Sequence, residues 1–392
     1  MNLEVFRWLL LPAGQALLAE AMRSDLRDSE RLRVLTHLRK NATAEQAAAA
    51  YETAWLRQRA ASKFTHASHM YFTREALEQA SGERIAAYRA ERFAIYTRVG
   101  DFCCGIGGDT LSLAQRTQVC AVDLDPLRLA MAHENAIAHG IQDRVQFIEA
   151  DLTQMALPNI EAIFFDPARR ISGKRLFKLA DYSPPISLVE SWRKQVKLIG
   201  VKVAPGIRDA EVAALGNVEV EFISVEGELK EAVLWFGEGI HPGRRATLLT
   251  QASRTTRDAS SVPKPPISEP LAYLYEPDPA IIRAHLVQGL AHEIGAAQLD
   301  AEIAYLTSVQ LNPPTPLARC WRVLEWLPFQ LKHLRSRLRA LDAGPVTVKK
   351  RGSPLDTDVL ARQLSGAGSR ELVVVLTQSS GKPVALICEG PI

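Results

Sequence analysis

The chain has 392 residues, 47% apolar and 23% charged, a composition that fits a folded globular protein and excludes a disordered or low-complexity one. Its length exceeds what one ordinary hydrophobic core supports, so two or three domains are expected. The formal charge of +3 is too small to identify a nucleic-acid partner by itself. No apolar run is long enough to cross a bilayer, so no membrane partner is expected.

Five scattered cysteines, with only Cys103 and Cys104 adjacent, form neither a disulfide framework nor a zinc pattern. A reducing cytoplasm and the absence of a metal site follow as expectations. The N-terminus carries Glu4 early, and Arg23, Asp25 and Arg27 soon follow the apolar stretch from Trp8 to Leu18, which is not the layout of a signal peptide.

Residues 1–96 are rich in Ala, Leu, Glu and Arg and lack β-branched alternation, which predicts a small all-helical domain. Thr73 reads as an N-cap ahead of Arg74-Glu75-Ala76. His66 and His69 have a spacing that suits a metal, but no Cys or acid lies nearby, and a polar cluster at a domain junction is the commoner explanation. Lys63 and Tyr71 mix a cation with an aromatic just ahead of the next domain and are read as substrate-binding residues near an entrance.

From residue 97 to 243 the pattern alternates strand and helix. Val99 to Cys103, Gln118 to Val122, Val145 to Ile148, Ala162 to Phe165 and Ile199 to Val203 are candidate strands. This predicts an α/β, Rossmann-like doubly wound sheet. Val218 to Val225 and Glu231 to Phe236, on either side of Glu226-Gly227-Glu228, fit a closing antiparallel hairpin. Residues 244–270, with their Gly, Ser/Thr and Pro content, read as a linker or arm. Residues 271–392 read as an α+β domain: helical over Pro279 to Ile294 and Trp326 to Leu341, then strand Val346 to Lys349, helix Asp356 to Leu364, and strands Leu372 to Leu376 and Pro383 to Cys388. From Arg319 onward it holds 12 Lys and Arg against 6 Asp and Glu, making it basic.

The most informative stretch is Asp101-Phe102-Cys103-Cys104-Gly105-Ile106-Gly107-Gly108-Asp109-Thr110, where a strand passes into a helix. Glycines there let backbone turn sharply and approach a ligand. A dinucleotide fingerprint wants a third Gly three residues beyond Gly107, where Thr110 stands. A pyrophosphate is therefore less suited than S-adenosylmethionine, whose polar groups are an amine, a carboxylate and a ribose. Asp101 suits the cationic end, Asp123 at the end of the next strand suits both ribose hydroxyls, and Asp151 after the third strand suits an adenine amino group. Cys103, Gly105, Gly107 and Gly108 complete the cofactor-binding set, and Asp125-Pro126 opens the following helix.

The run Asp101 to Ala114, then Val122 to Pro126, Asn135, Gly140-Ile141 and Phe147 to Asp151, resembles class I methyltransferases of the trimethylguanosine synthase type. The wider layout is similar to a bacterial family whose C-terminal part is described as THUMP-like. The resemblance implies S-adenosylmethionine as cofactor and RNA, tRNA or rRNA, as partner. After the fourth strand, Asp166-Pro167-Ala168-Arg169 stands where enzymes that methylate exocyclic amines carry an Asp, Asn or Ser, two prolines and an aromatic. Asp166, Pro167 and Arg169 are the candidate catalytic residues; Ala168 and Arg169 depart from that pattern. Cys103, Cys104 and Cys120 read as packing residues, which disfavours a thiolate mechanism. In the basic domain Lys349, Lys350 and Arg351 are candidate RNA-binding residues, close to a helix bearing Lys332, His333, Arg335, Arg337 and Arg339. Methylation of a protein or small molecule, and RNA binding without catalysis, are the competing readings.

Overall fold

The computed structural model describes residues 1–168, 170–171, 174–175 and 178–392. The chain divides into two compact units, Met1–Val218 with Val233–His241, and Glu219–Ala232 with Pro242–Ile392.

In the first unit six α-helices precede the sheet: Leu3–Leu10, Pro12–Met22, Arg31–Leu38, Ala44–Ala60, Arg74–Gln79 and Glu83–Phe93. Capping fixes their starts. Thr43 and Gln46 form a capping box, and the Thr73 hydroxyl accepts the Ala76 amide at 3.1 Å. The predicted helical region thus forms, but it belongs to the same compact unit as the strands that follow. Helix Glu83–Phe93 explains part of this: its Phe93 ring lies against both Phe164 and Trp235.

The strands are β1 (Arg98–Phe102), β2 (Gln118–Asp123), β3 (Val145–Glu149), β4 (Ala162–Phe165), the short antiparallel pair β5 (Arg170–Ile171) and β6 (Lys174–Arg175), and β7 (Leu198–Val203). Parallel pairing gives the order β3-β2-β1-β4-β7. The first crossover runs outward through β2 and β3, and the next returns to the other side of β1. The order therefore reverses between β1 and β4, where α/β sheets bind ligands beyond their carboxyl ends. Near-complete burial of β1, β2, β4 and β7 reflects a sheet covered on both faces.

β8 (Glu219–Val225), in the second unit, turns through Glu226-Gly227 into β9 (Glu228–Gly237), of which residues 228–232 belong to the second unit and 233–237 to the first. Both turn residues have positive φ, 50° and 78°, the two-residue geometry that matches hairpin twist. The residues read as a linker instead contain β10 (Gly243–Leu249), parallel to β8, and β11 (Arg254–Asp258), antiparallel to β10. Ala246 to Leu249 are buried by that pairing, a non-local gain that local Gly, Ser and Pro content hides.

Seven further strands form one sheet: β12 (Tyr273–Pro277), β13 (Ala297–Asp300), β14 (Ile303–Ser308), β15 (Ala318–Pro328), β16 (Ala343–Lys350), β17 (Arg370–Ser379) and β18 (Lys382–Glu389), in the order β13-β14-β12-β15-β18-β17-β16. Helices Leu331–Ala340 and Thr357–Leu364 pack Leu334, Leu338, Leu360 and Leu364 against it. Two expected helices are revised. Trp326 lies in β15, and the Pro279 to Ile294 stretch breaks into Pro279–Arg283 and Val287–Glu293 around His285, whose φ is 61°.

Candidate active site

The register brings the candidate residues into one row. Phe102 pairs with Val122 and Phe165, and Phe165 pairs with Val201. The next residue on each strand is therefore Cys103, Asp123, Asp166 or Lys202, side by side at the carboxyl end of the sheet. Asp151 follows β3 two residues beyond Glu149, the partner of Asp123.

The loop after β1 is set by backbone conformation. Cys103, Gly105 and Gly107 have φ of 61°, 57° and 87°, a region that favours glycine. A Cβ on Gly107 would stand 3.3 Å from the Ala132 Cβ, whereas one on Gly105 would meet nothing within 4 Å. The loop is held from behind at Gly107 and open at Gly105. Gly108 lies beside Ala80 and Ser81.

Asp123 accepts the Gly105 amide at 2.8 Å on one oxygen and the Asp125 amide at 2.9 Å on the other. It thereby ties the loop to the next helix, whose start is capped by Asp125 on Leu127 and Arg128. Asp151 is exposed and accepts both the amide and hydroxyl of Thr153 on one oxygen, and these bonds hold its carboxyl below the usual range. Asp101 is 1% exposed and accepts the Thr110 hydroxyl. Burial, reinforced by nearby Asp109, pushes Asp101 up to about 8 despite that bond. Asp109 pairs with the buried Arg89.

Asp166 receives the Lys202 ammonium on Oδ2 at 2.7 Å, while its own amide bonds to Phe102 O at 3.1 Å. Pro167 is buried, and Ala168 exchanges backbone bonds with Ser183 at 2.8 and 3.2 Å. Arg169 lies outside the described residues. Burial pushes the thiols of Cys103 and Cys104 well above their ordinary value and raises Cys120 as well, so none is poised as a thiolate.

Lys202 escaped the sequence reading, and Asn135 was part of the family resemblance without a role of its own. Lys202 sits in an apolar strand where nothing marks it as a partner of Asp166. Asn135, fully buried, accepts the Tyr71 amide at 2.7 Å and donates to Tyr71 O at 3.1 Å and Ile106 O at 2.9 Å, bonding the helical region to the glycine loop. The helix-interior polar residue at position 135 was the available signal.

Tyr71 does not stand at an entrance. It is 6% exposed, edge-on to Phe6 and under the Arg57 guanidinium, and its hydroxyl accepts Gln15 Nε2 at 3.0 Å, because its ring completes the helical core. Lys63 bonds to the Leu77 carbonyl at 2.6 Å. His66 meets the His139 ring edge-on at 4.7 Å, and His69 pairs with Ser68.

In the second unit Lys349 bonds to Glu276 at 2.6 Å and lies over Trp321, while Arg351 lies over Tyr305. Both are partly buried because β16 and its neighbours enclose them. Lys350 is exposed, with its ammonium on the Leu355 carbonyl at 2.6 Å. Arg337 pairs with Glu325.

Residues 96–197 match the family described as RNA cap guanine-N2 methyltransferase, residues 318–390 match THUMP domain-like, and residues 2–60 match a domain of unknown function. An uncharacterised S-adenosylmethionine-dependent methyltransferase of Mycobacterium tuberculosis is 38% identical over 341 residues, covering 83% of this chain and 91% of that protein. The chain belongs to the S-adenosylmethionine-dependent methyltransferases. Trimethylguanosine synthase of Schizosaccharomyces pombe is 32% identical to this methyltransferase over 94 residues, 21% of this chain and 39% of that one. The fold is shared with a crystal structure described as a methyltransferase candidate from Porphyromonas gingivalis W83, at TM-score 0.75 and 21% identity over 100% of this chain and 98% of that one.

The methyltransferase's site suits its cofactor on chemistry. Its carboxyls, Asp101, Asp123 and Asp151, are of a chemistry that can accept hydrogen bonds from ammonium, hydroxyl and amino donors such as the cofactor carries, and a Cβ on Gly105 would meet nothing within 4 Å.

Proposed function

We propose that this methyltransferase modifies a nitrogen of a nucleotide in tRNA or rRNA, by direct in-line attack and without a cysteine adduct. The observation that carries the reading is Asp166, brought by register beside the glycine loop and oriented by Lys202. When bound, the cofactor supplies an electrophilic methyl group. Asp101, Asp123 and Asp151 hold it through hydrogen bonds, with Cys103, Gly105, Gly107 and Gly108 shaping the backbone around it. Asp166 accepts a hydrogen bond from the substrate N–H, which aligns the nitrogen lone pair, and it takes up or passes on the proton that nitrogen sheds. Pro167 stiffens the loop that presents Asp166.

The high-lying thiols favour direct attack over a covalent route. RNA as substrate is supported by the matched family descriptions and by the basic C-terminal region, in which Lys350 is, of Lys349, Lys350 and Arg351, the exposed one. Five free cysteines suit a reducing cytoplasm. No helix among the described residues is long and apolar enough to cross a membrane.

The test is nucleoside mass spectrometry of tRNA and rRNA from a strain lacking the gene. One N-methylated nucleoside should disappear, return with the wild-type gene and stay absent with Asp166→Ala. An unchanged nucleoside profile would count against RNA as the substrate.

A further inference from the structure

Lys202 lies in β7, Leu198 to Val203, every residue of which is buried. An ammonium there loses its hydration and persists only with full compensation. It is 3% exposed, and its three donors have three acceptors: Asp166 Oδ2 at 2.7 Å, Ser81 Oγ at 3.1 Å and the Gln79 carbonyl at 3.3 Å. Lysine offers three N–H groups and no acceptor, so this set uses its capacity. Asp166 Oδ1 makes no hydrogen bond among the described residues, and the side chain keeps 23% exposure. One oxygen is thus pinned from within while the other remains for an external donor.

The other two acceptors come from the helical region. Gln79 ends helix Arg74–Gln79, and Ser81, 5% exposed, also places its carbonyl 3.4 Å from where a Cβ on Gly108 would stand. The same short segment therefore abuts the cofactor loop and anchors the lysine that anchors Asp166. A surface ion pair chosen for stability would need neither this burial nor this third attachment.

We propose that Lys202 is a positioning residue for methyl transfer, fixing Asp166 so that Oδ1 faces the substrate N–H, and that Gln79 and Ser81 make the helical region part of that device. This rests on the reading that Asp166 receives the substrate nitrogen.

The experiment measures methyl transfer from labelled S-adenosylmethionine to RNA isolated from a strain lacking the gene, using wild type, Lys202→Met, Ser81→Ala, Asp166→Asn and the Lys202→Met/Asp166→Asn double variant. Lys202→Met should lower kcat about 100-fold, the order expected for a misplaced reacting group, with KM for RNA and calorimetric affinity for S-adenosylhomocysteine within about threefold. In the Asp166→Asn background the same change should cost less than about twofold, because its effect passes through Asp166. Ser81→Ala should cost about fivefold in kcat by loosening one attachment.

A separate reading needs no substrate. Hydrogen exchange in residues 79–82 and 164–168 should quicken about fivefold or more in Lys202→Met. Full kcat in Lys202→Met, an equal fold-loss in the Asp166→Asn background, or unchanged exchange in both segments would overturn the proposal. If wild type transfers no methyl to RNA, the substrate reading fails, and the exchange data alone decide whether Lys202 holds Asp166 and the helical segment. If Lys202→Met does not fold, Ser81→Ala is judged by its kcat and by exchange in residues 164–168.

Discussion

Asp101 gives the account a proton-linked signature. Its carboxyl lies at about 8 in the folded protein against 3.8 for an ordinary aspartate, through burial and the neighbouring Asp109. At pH 7 a group of pKa about 8 is about nine-tenths protonated. If Asp101 receives the cationic end of the cofactor, binding selects the ionised form, and the complex should release close to one proton at pH 7. Affinity should then rise as pH increases from 7 toward 8, following the ionised fraction, until the ligand's own ammonium begins to lose its proton. The same shift sets the sign for the ligand-free protein: between pH 4 and 8 the unfolded chain binds fewer protons at this residue than the folded one, so its contribution to stability falls as pH rises.

The assay is titration calorimetry with S-adenosylhomocysteine in buffers of different ionisation enthalpy, at pH 7, 8 and 9. Asp101→Asn, which can keep an acceptor for Thr110 but cannot ionise, should abolish both proton release and the affinity gain. Enthalpies independent of buffer, with flat affinity in wild type, would refute the assignment of Asp101 to the cationic end.

Other perturbations follow from the same geometry. Asp123→Ala removes the acceptor for Gly105 and Asp125 along with the proposed ribose contacts, and should weaken S-adenosylhomocysteine binding by about 1.5 to 3 kcal/mol, or roughly 10- to 150-fold; calorimetry showing affinity within twofold of wild type would contradict it. Gly107→Val forces a branched side chain toward Ala132 at a φ of 87°, so the variant should show no ligand-induced rise in melting temperature, and a normal rise would count against the loop as the binding element. Lys349→Glu sets a second carboxylate beside Glu276 and should lower the melting temperature by about 5 °C or more, whereas Lys350→Glu should leave it unchanged and flatten the log-log salt dependence of RNA binding by about 0.7 to 0.9. The reverse pattern in thermal melts and salt titrations would assign the two lysines the opposite roles.

The parallel strands were legible because they are short apolar runs, four of the five ending at an acid or at a Gly or Pro turn, and β1 to β4 fall within a residue or so of their expected bounds. The hairpin was legible through Glu226-Gly227, whose conformation glycine supplies. The strands β10 to β15 were not: Tyr273–Pro277 and Ala318–Pro328 mix aromatic, charged and apolar residues without strict alternation, and their pairing joins segments far apart in sequence. In the site, acids at strand ends could be read one by one. Lys202 could not, since its meaning depends on β4 and β7 being adjacent and on a serine 121 residues earlier. Tyr71 misled for the converse reason, that an aromatic beside a cation describes a buried ring under Arg57 as well as a substrate entrance.

The central claim is most directly tested by incubating the purified full-length protein with methyl-labelled S-adenosylmethionine and total RNA and protein from a strain lacking the gene. Label should enter tRNA or rRNA, and digestion should yield a single nucleoside methylated on nitrogen, with Asp166→Ala reducing incorporation about 100-fold or more. Label confined to protein or small molecules, or found on a base carbon, would contradict the account.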